Sequence, residues 1–143
     1  MTQADWNYPT QIHVGPGRRL ELADYCQSLK IQRPLIVTDR MLLGLPLVQE
    51  VLAALSAAGL APGVFSDVNG NPTGSEVGAG CQAFRAGGHD GVLAIGGGSA
   101  MDVGKTIAVM AHQGCALFDL EDLGDQWRRA DASVIQPIIA VPT

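Results

Sequence analysis

The chain has 143 residues, 47% hydrophobic and 16% charged, which is enough apolar side chains for one packed domain and too short for a second. Its formal net charge of -5 leaves no basic stripe for a polyanion, so nucleic acid and anionic membrane are not expected partners. No run approaches the roughly 18 apolar residues of a membrane span, and MTQADWNYPTQ has neither the cationic start nor the apolar core of an export signal; a soluble, cytoplasmic protein is expected. Cys26, Cys81 and Cys115 are odd in number, widely spaced and without a CxxC pair, so they read as reduced thiols and not as a disulfide framework or zinc knuckle.

Along the chain, an extended start around QIHVG leads through the turn-forming GPG into RRLELADYCQSLK, where Leu22, Tyr25 or Cys26, and Leu29 recur at helical spacing. PLIVTD is a short β-branched strand. LPLVQEVLAALSAAG repeats Val48, Val51 and Leu55 on one helical face until Gly59 stops it. GVFSDV is a second strand, and GSEVGAGCQAFRAGG places Val77, Cys81 and Phe84 at i, i+4, i+7 despite its interior glycines. DGVLAIG is a continuous apolar strand, and SAMDVGKTIAVMAH carries Val103, Ile107 and Met110 along one face. From Gln113 to Gln136 the acids, Trp127 and the Arg128-Arg129 pair follow no clean period, and a loop with a short helix is expected; PIIAVPT is the last strand. Near-continuous apolar strands alternating with helices predict an α/β fold, a doubly wound, mostly parallel sheet with flanking helices.

The stretch VLAIGGGSAMDVGKT poses a choice between two phosphate-binding designs. A P-loop requires GxxxxGK[ST]; Gly104, Lys105 and Thr106 supply the ending, but Ser99 stands where the first glycine belongs. The helical period also puts Gly104 to Thr106 about two turns into a helix, whereas phosphates bind at a helix start, so a P-loop-like ATP-binding protein ranks third among the readings. GxGxxG fails as well, because Met101 occupies the place of its third glycine. What stands is a strand ending at Ile95, three glycines, and a helix with Ser99 as its N-cap. Gly96, Gly97 and Gly98 permit a tight turn and the close approach of a ligand, and the free N–H groups and positive dipole end of the helix favour a pyrophosphate. The competing reading is a glycine turn that merely joins strand to helix.

Asp39 stands at the C-terminal end of an apolar strand, the edge at which open α/β sheets bind ligands. A carboxylate there accepts hydrogen bonds from both ribose hydroxyls and repels a 2′-phosphate, so NAD is preferred over NADP. A helix or turn cap within TDRML competes with that role, and for Asn71 in NPT ordinary Asn-Pro turn formation competes. His13 on the early strand, His89 and His112 show no HxxxH or HExxH spacing and read as surface or capping histidines. With no GxSxG either, neither metal ligands nor catalytic residues are expected in the chain.

GGGSAMDVGK resembles the GGGSxxDxxK pattern of the iron-containing (group III) alcohol dehydrogenases, and IVTDR, VFSDVNGNPT and PIIAVPT occur in that family's order and spacing, together covering most of the chain. The resemblance implies a Rossmann-like NAD(P)-binding α/β domain over residues 1–143, with the helical, metal-binding catalytic domain absent. It implies that Gly96, Gly97, Gly98 and Ser99 face the pyrophosphate, that Asp39 faces the adenosine ribose and that Asn71 lines the cofactor cleft. Asp102 would point toward the cofactor or active-site cleft with Lys105 one turn behind, and Thr143 resembles the first threonine of the family's TTxGTGSE loop. The implied reaction is hydride transfer between a small alcohol or aldehyde and NAD, assisted by a divalent metal, iron or zinc, held by one aspartate and three histidines of the absent half. On this reading the chain is a fragment that binds NAD without turning over. A second reading is a stand-alone α/β dinucleotide-binding or dimerisation module in which DWNYPTQIHVG, the N-terminal strand, pairs with its counterpart in a homodimer. Glycerol dehydrogenases and dehydroquinate synthases share the triple glycine but depart from GGGSxxDxxK with NPT.

Overall fold

Four short strands, β1 (Pro34–Val37), β2 (Gly63–Phe65), β3 (Gly91–Gly96) and β4 (Ile138–Pro142), pair in the order β2-β1-β3-β4 in the computed structural model, which describes residues 9–143. Every ladder is parallel: Ile36 lies opposite Val64 on one side and Leu93 on the other, and Ala94 lies opposite Ala140. Parallel neighbours cannot be joined by a tight turn, so the chain crosses over through helices. They are α1 (Leu22–Ser28), α2 (Arg40–Leu43), α3 (Pro46–Ala57), α4 (Gly74–Ala86) and α5 (Gly98–Met110). From β1 the chain steps outward to β2, then returns to the other side of β1 for β3, so the direction of winding reverses between β1 and β3. Their C-terminal ends therefore flank the crevice in which open α/β sheets take ligands.

The central strands read as unbroken apolar runs because both faces are covered. On one face, Leu22 and Cys26 of α1 and Val48, Val51 and Leu55 of α3 pack on Ile36, Leu93 and Ile95. On the other, Val77, Cys81 and Phe84 of α4 and Val103 and Ile107 of α5 pack on Leu35, Val37 and Val92. Adjacent strand residues thus go to opposite layers, and each fully buried aliphatic side chain contributes on the order of 1.5–3 kcal/mol.

Small residues set how closely α5 approaches the sheet. A Cβ on Gly104 would stand 2.6 Å from the Ala94 Cβ and 3.5 Å from its Cα, so this glycine is required by helix–sheet contact. Gly104 to Thr106 lie well inside α5, and the P-loop reading fails on that placement, because the N–H groups there are spent on the helix's own hydrogen bonds.

Three expectations change. Residues 11–15 are not a strand, and His13 with them; a strand exists only in a ladder, and both edges of this sheet, β2 and β4, lack a partner from this segment. His13 instead stacks on Tyr25 with ring centroids 4.4 Å apart. Residues 1–8, which hold much of the expected pairing segment DWNYPTQIHVG, lie outside the described residues. The predicted helix over RRLELADYCQSLK begins as a 3-10 turn, Arg18–Glu21, before α1. The long polar stretch holds three short 3-10 turns, Leu117–Leu120, Gln126–Arg129 and Ala132–Val134, in place of one short helix. Among the described residues no helix is long and apolar enough to cross a membrane.

Candidate functional site

At the end of β3 the backbone turns at Gly96, whose φ of 146° belongs to the region that favours glycine. Space forbids a side chain there too: a Cβ would meet the Ala100 Cβ at 2.9 Å and the Leu42 Cδ1 at 3.1 Å. Gly97 and Gly98 differ. A Cβ on either would have no protein atom within 4 Å, and Gly97 adopts φ -77° and ψ -169°, open to any residue.

Gly97 is also the N-cap of α5, which corrects the expectation that Ser99 caps it. The helix begins two residues sooner because the turn at Gly96 aims the chain directly into it. Ser99 is then its second residue, and no side chain caps the end. The first backbone bond into the helix runs from the Met101 N–H to the Gly97 carbonyl at 3.1 Å, which leaves the N–H groups of Gly98, Ser99 and Ala100 without an intrahelical acceptor.

Asp39 follows β1 and is the N-cap of α2: its Oδ1 accepts the Leu42 N–H at 2.8 Å. The other oxygen, Oδ2, comes within 3.8 Å of the point where a Gly96 Cβ would stand, beside the glycine turn. Capping and facing the crevice are therefore compatible, each using its own oxygen. Asp39, Gly97, Gly98 and Ser99 line one cavity of about 400 Å³ together with Arg40, Met41, Val68, Asn69, Gly70 and Ala100. Thr143, the residue after β4, is outside that lining; its N–H donates to the Gly96 carbonyl at 3.2 Å, at the glycine turn.

Asn71 and Asp102 stand apart from that cavity. Asn71 lies at φ 57° in the connection between β2 and α4, a conformation asparagine tolerates, between Gly70 on the first cavity and Pro72 on a second. Asp102 and Lys105 line this second cavity, about 490 Å³, with Thr73, Thr106, Met110 and Phe118 among its walls. The connection is held by Glu76. Its carboxylate accepts the Asn69 N–H at 2.8 Å, the Thr73 N–H at 2.6 Å, the Asn69 Nδ2 at 2.8 Å and the Thr73 hydroxyl at 2.8 Å. The Glu76 N–H in turn reaches the Thr73 hydroxyl, completing a capping box on α4. The backbone donors of Asn69 and Thr73 chiefly stabilise the charged form and lower the Glu76 pKa to about 2.

A family model described as iron-containing alcohol dehydrogenase matches residues 9–143. The chain belongs to this family. The 4-hydroxybutyrate dehydrogenase of Cupriavidus necator is 36% identical over 137 residues, covering 95% of this chain and 35% of its own. The lactaldehyde reductase of Escherichia coli strain K12 is 35% identical over 129 residues, covering 90% and 33%. The crystal structure of sulfoacetaldehyde reductase from Bifidobacterium kashiwanohense, in complex with NAD+, matches with a TM-score of 0.86 at 30% identity, covering 99% of this chain and 36% of that one. The chain spans about a third of the length of the curated relatives it matches.

In this member of the iron-containing alcohol dehydrogenase family, the glycine motif and Asp39 stand out in the sequence, whereas Arg40, Met41, Val68, Asn69 and Gly70 come to the cavity through the fold. The Asn69-Gly70 turn signal and the charge next to Asp39 were the available clues. Glu76 was visible only as a helix residue; the T-x-x-E spacing from Thr73 is the capping-box signature that would have found it.

Proposed function

We propose that the chain is the nucleotide-binding part of an NAD-linked, metal-dependent alcohol dehydrogenase, and that NAD lies in the cavity between the ends of β1 and β3. One observation carries this reading: glycines 97 and 98 leave room that no protein atom takes, in conformations that do not call for glycine, which is what a ligand approaching the backbone requires. The free N–H groups at the start of α5 suit the pyrophosphate, and the uncapped oxygen of Asp39 suits the adenosine ribose. The Gly96 turn and the Thr143 backbone hold this corner in shape, while Asp102 lies in the wall of the second cavity and Asn71, in the loop between the two cavities, lines neither. When bound, NAD supplies the hydride acceptor or donor. The relatives' names, a dehydrogenase of 4-hydroxybutyrate and reductases of lactaldehyde and sulfoacetaldehyde, support an alcohol or aldehyde as substrate of the longer protein.

Among the described residues no group of three or more His, Cys, Asp or Glu could hold a metal ion. The divalent metal is assigned to residues beyond this chain, and the chain alone is expected to bind cofactor without turnover. Titration of NADH fluorescence tests this. The wild-type signal should rise and saturate, and Gly97→Asp, which sets a carboxylate where the pyrophosphate would lie, should abolish the response. Equal insensitivity of the two proteins at millimolar NADH would overturn the assignment.

The dimerisation reading draws on Ile12 and Val14, 66% and 84% exposed at alternate positions of a segment with no strand partner among the described residues. If a second copy pairs there, deleting residues 1–14 converts a dimer to a monomer in sizing experiments; an unchanged elution volume refutes it.

A further inference from the structure

Asp39 is not alone at its end of the cavity. Arg40, the next residue, is the one cation lining the cavity among the described residues, and its guanidinium is paired with a carboxylate outside that lining. Its Nε donates to the Asp67 Oδ1 at 3.0 Å, and its Nη2 donates to the same oxygen. Asp67 follows β2, the strand beside β1, and its neighbour Val68 lines the cavity. One arginine, next to Asp39 in the chain and paired with Asp67 outside the lining, thus answers two carboxylates, so the charge of the three is net negative.

We propose that Asp67 is a specificity-determining residue, holding Arg40 away from the 2′ position of the adenosine ribose and thereby excluding a 2′-phosphate. The inference rests on the NAD reading above. An arginine beside the ribose-binding acid is the group that accommodates a 2′-phosphate in dinucleotide sites, and its guanidinium is shaped for that anion. Here the same group is neutralised by a carboxylate it meets on the neighbouring loop. The pair is 79% and 61% exposed, so it is weakly held, and losing Asp67 frees Arg40 without unsettling the fold.

Paired titrations of the chain with NADH and NADPH decide the matter, using wild type, Asp67→Asn, Arg40→Ala and the double variant. Asp67→Asn should tighten NADPH by about threefold to fivefold, the most that releasing so exposed an ion pair returns, and leave NADH within about twofold. The double variant should lose the gain. An unchanged ratio of NADPH to NADH affinity in Asp67→Asn overturns the proposal, as does a gain that persists without Arg40, since that would be a general charge effect. Wild type binding neither nucleotide would instead refute the NAD reading and this inference with it. Circular dichroism of each variant, expected to match wild type, and a fall of the NADPH gain with added salt complete the test.

Discussion

Asp39 and Leu42 are joined by a hydrogen bond of 2.8 Å in which the aspartate Oδ1 accepts the leucine N–H, so the residue assigned to the ribose also starts α2. The two duties separate under substitution. Asp39→Ala should lose the cap, about 1 kcal/mol in urea unfolding, together with NADH affinity. Asp39→Asn should keep the cap, since asparagine and aspartate cap equally well, while NADH binding weakens by about fivefold to tenfold as a charged acceptor becomes a neutral one. An NADH affinity unchanged in both variants would show that the carboxylate acts only in the fold.

The glycines of the turn and of α5 differ in what they protect. Gly96→Ala meets both a φ of 146° and atoms at 2.9 and 3.1 Å, and should cost about 1–3 kcal/mol, read from the urea midpoint at constant slope. Gly104→Ala gains about 1 kcal/mol of helix propensity but drives α5 off Ala94, an overpacking cost of about 1–3 kcal/mol, so it should be neutral to moderately destabilising. Gly97→Ala, with no protein atom near, should change stability by less than about 1 kcal/mol. Its NADH affinity should nevertheless fall. A variant at 97 as unstable as the one at 96 would contradict the distinction.

Glu76 makes the connection between β2 and α4 sensitive to acid. Its pKa is lowered in the folded chain from about 4.5 to about 2, so its contribution is fully present above the unfolded value and is lost as pH falls through the folded one. Wild type should therefore exceed Glu76→Gln in stability at neutral pH, and the gap should close between about pH 4.5 and about pH 2. Urea unfolding at neutral and acid pH measures it. A gap independent of pH would mean that packing, and not the charged hydrogen bonds, distinguishes the two.

Local pattern alone settled the layers of this protein and the placing of its glycine-rich turn between strand and helix. Apolar runs at Pro34, Gly63, Gly91 and Ile138 and helical periods between them are properties of neighbouring residues, and burial on both faces leaves such runs without polar interruption. Tertiary structure decided what depends on residues far apart in the chain. Only the sheet order brings Asp39 and Thr143 to Gly96 from the strands on either side of β3, and only the turn at Gly96 moves the start of α5 ahead of Ser99. Asp67 reaches Arg40 across 27 positions because β2 lies next to β1, and Gly104 proves to be a contact with Ala94 and not part of a phosphate loop. Such distances are set by packing of the whole domain, which no window of sequence contains.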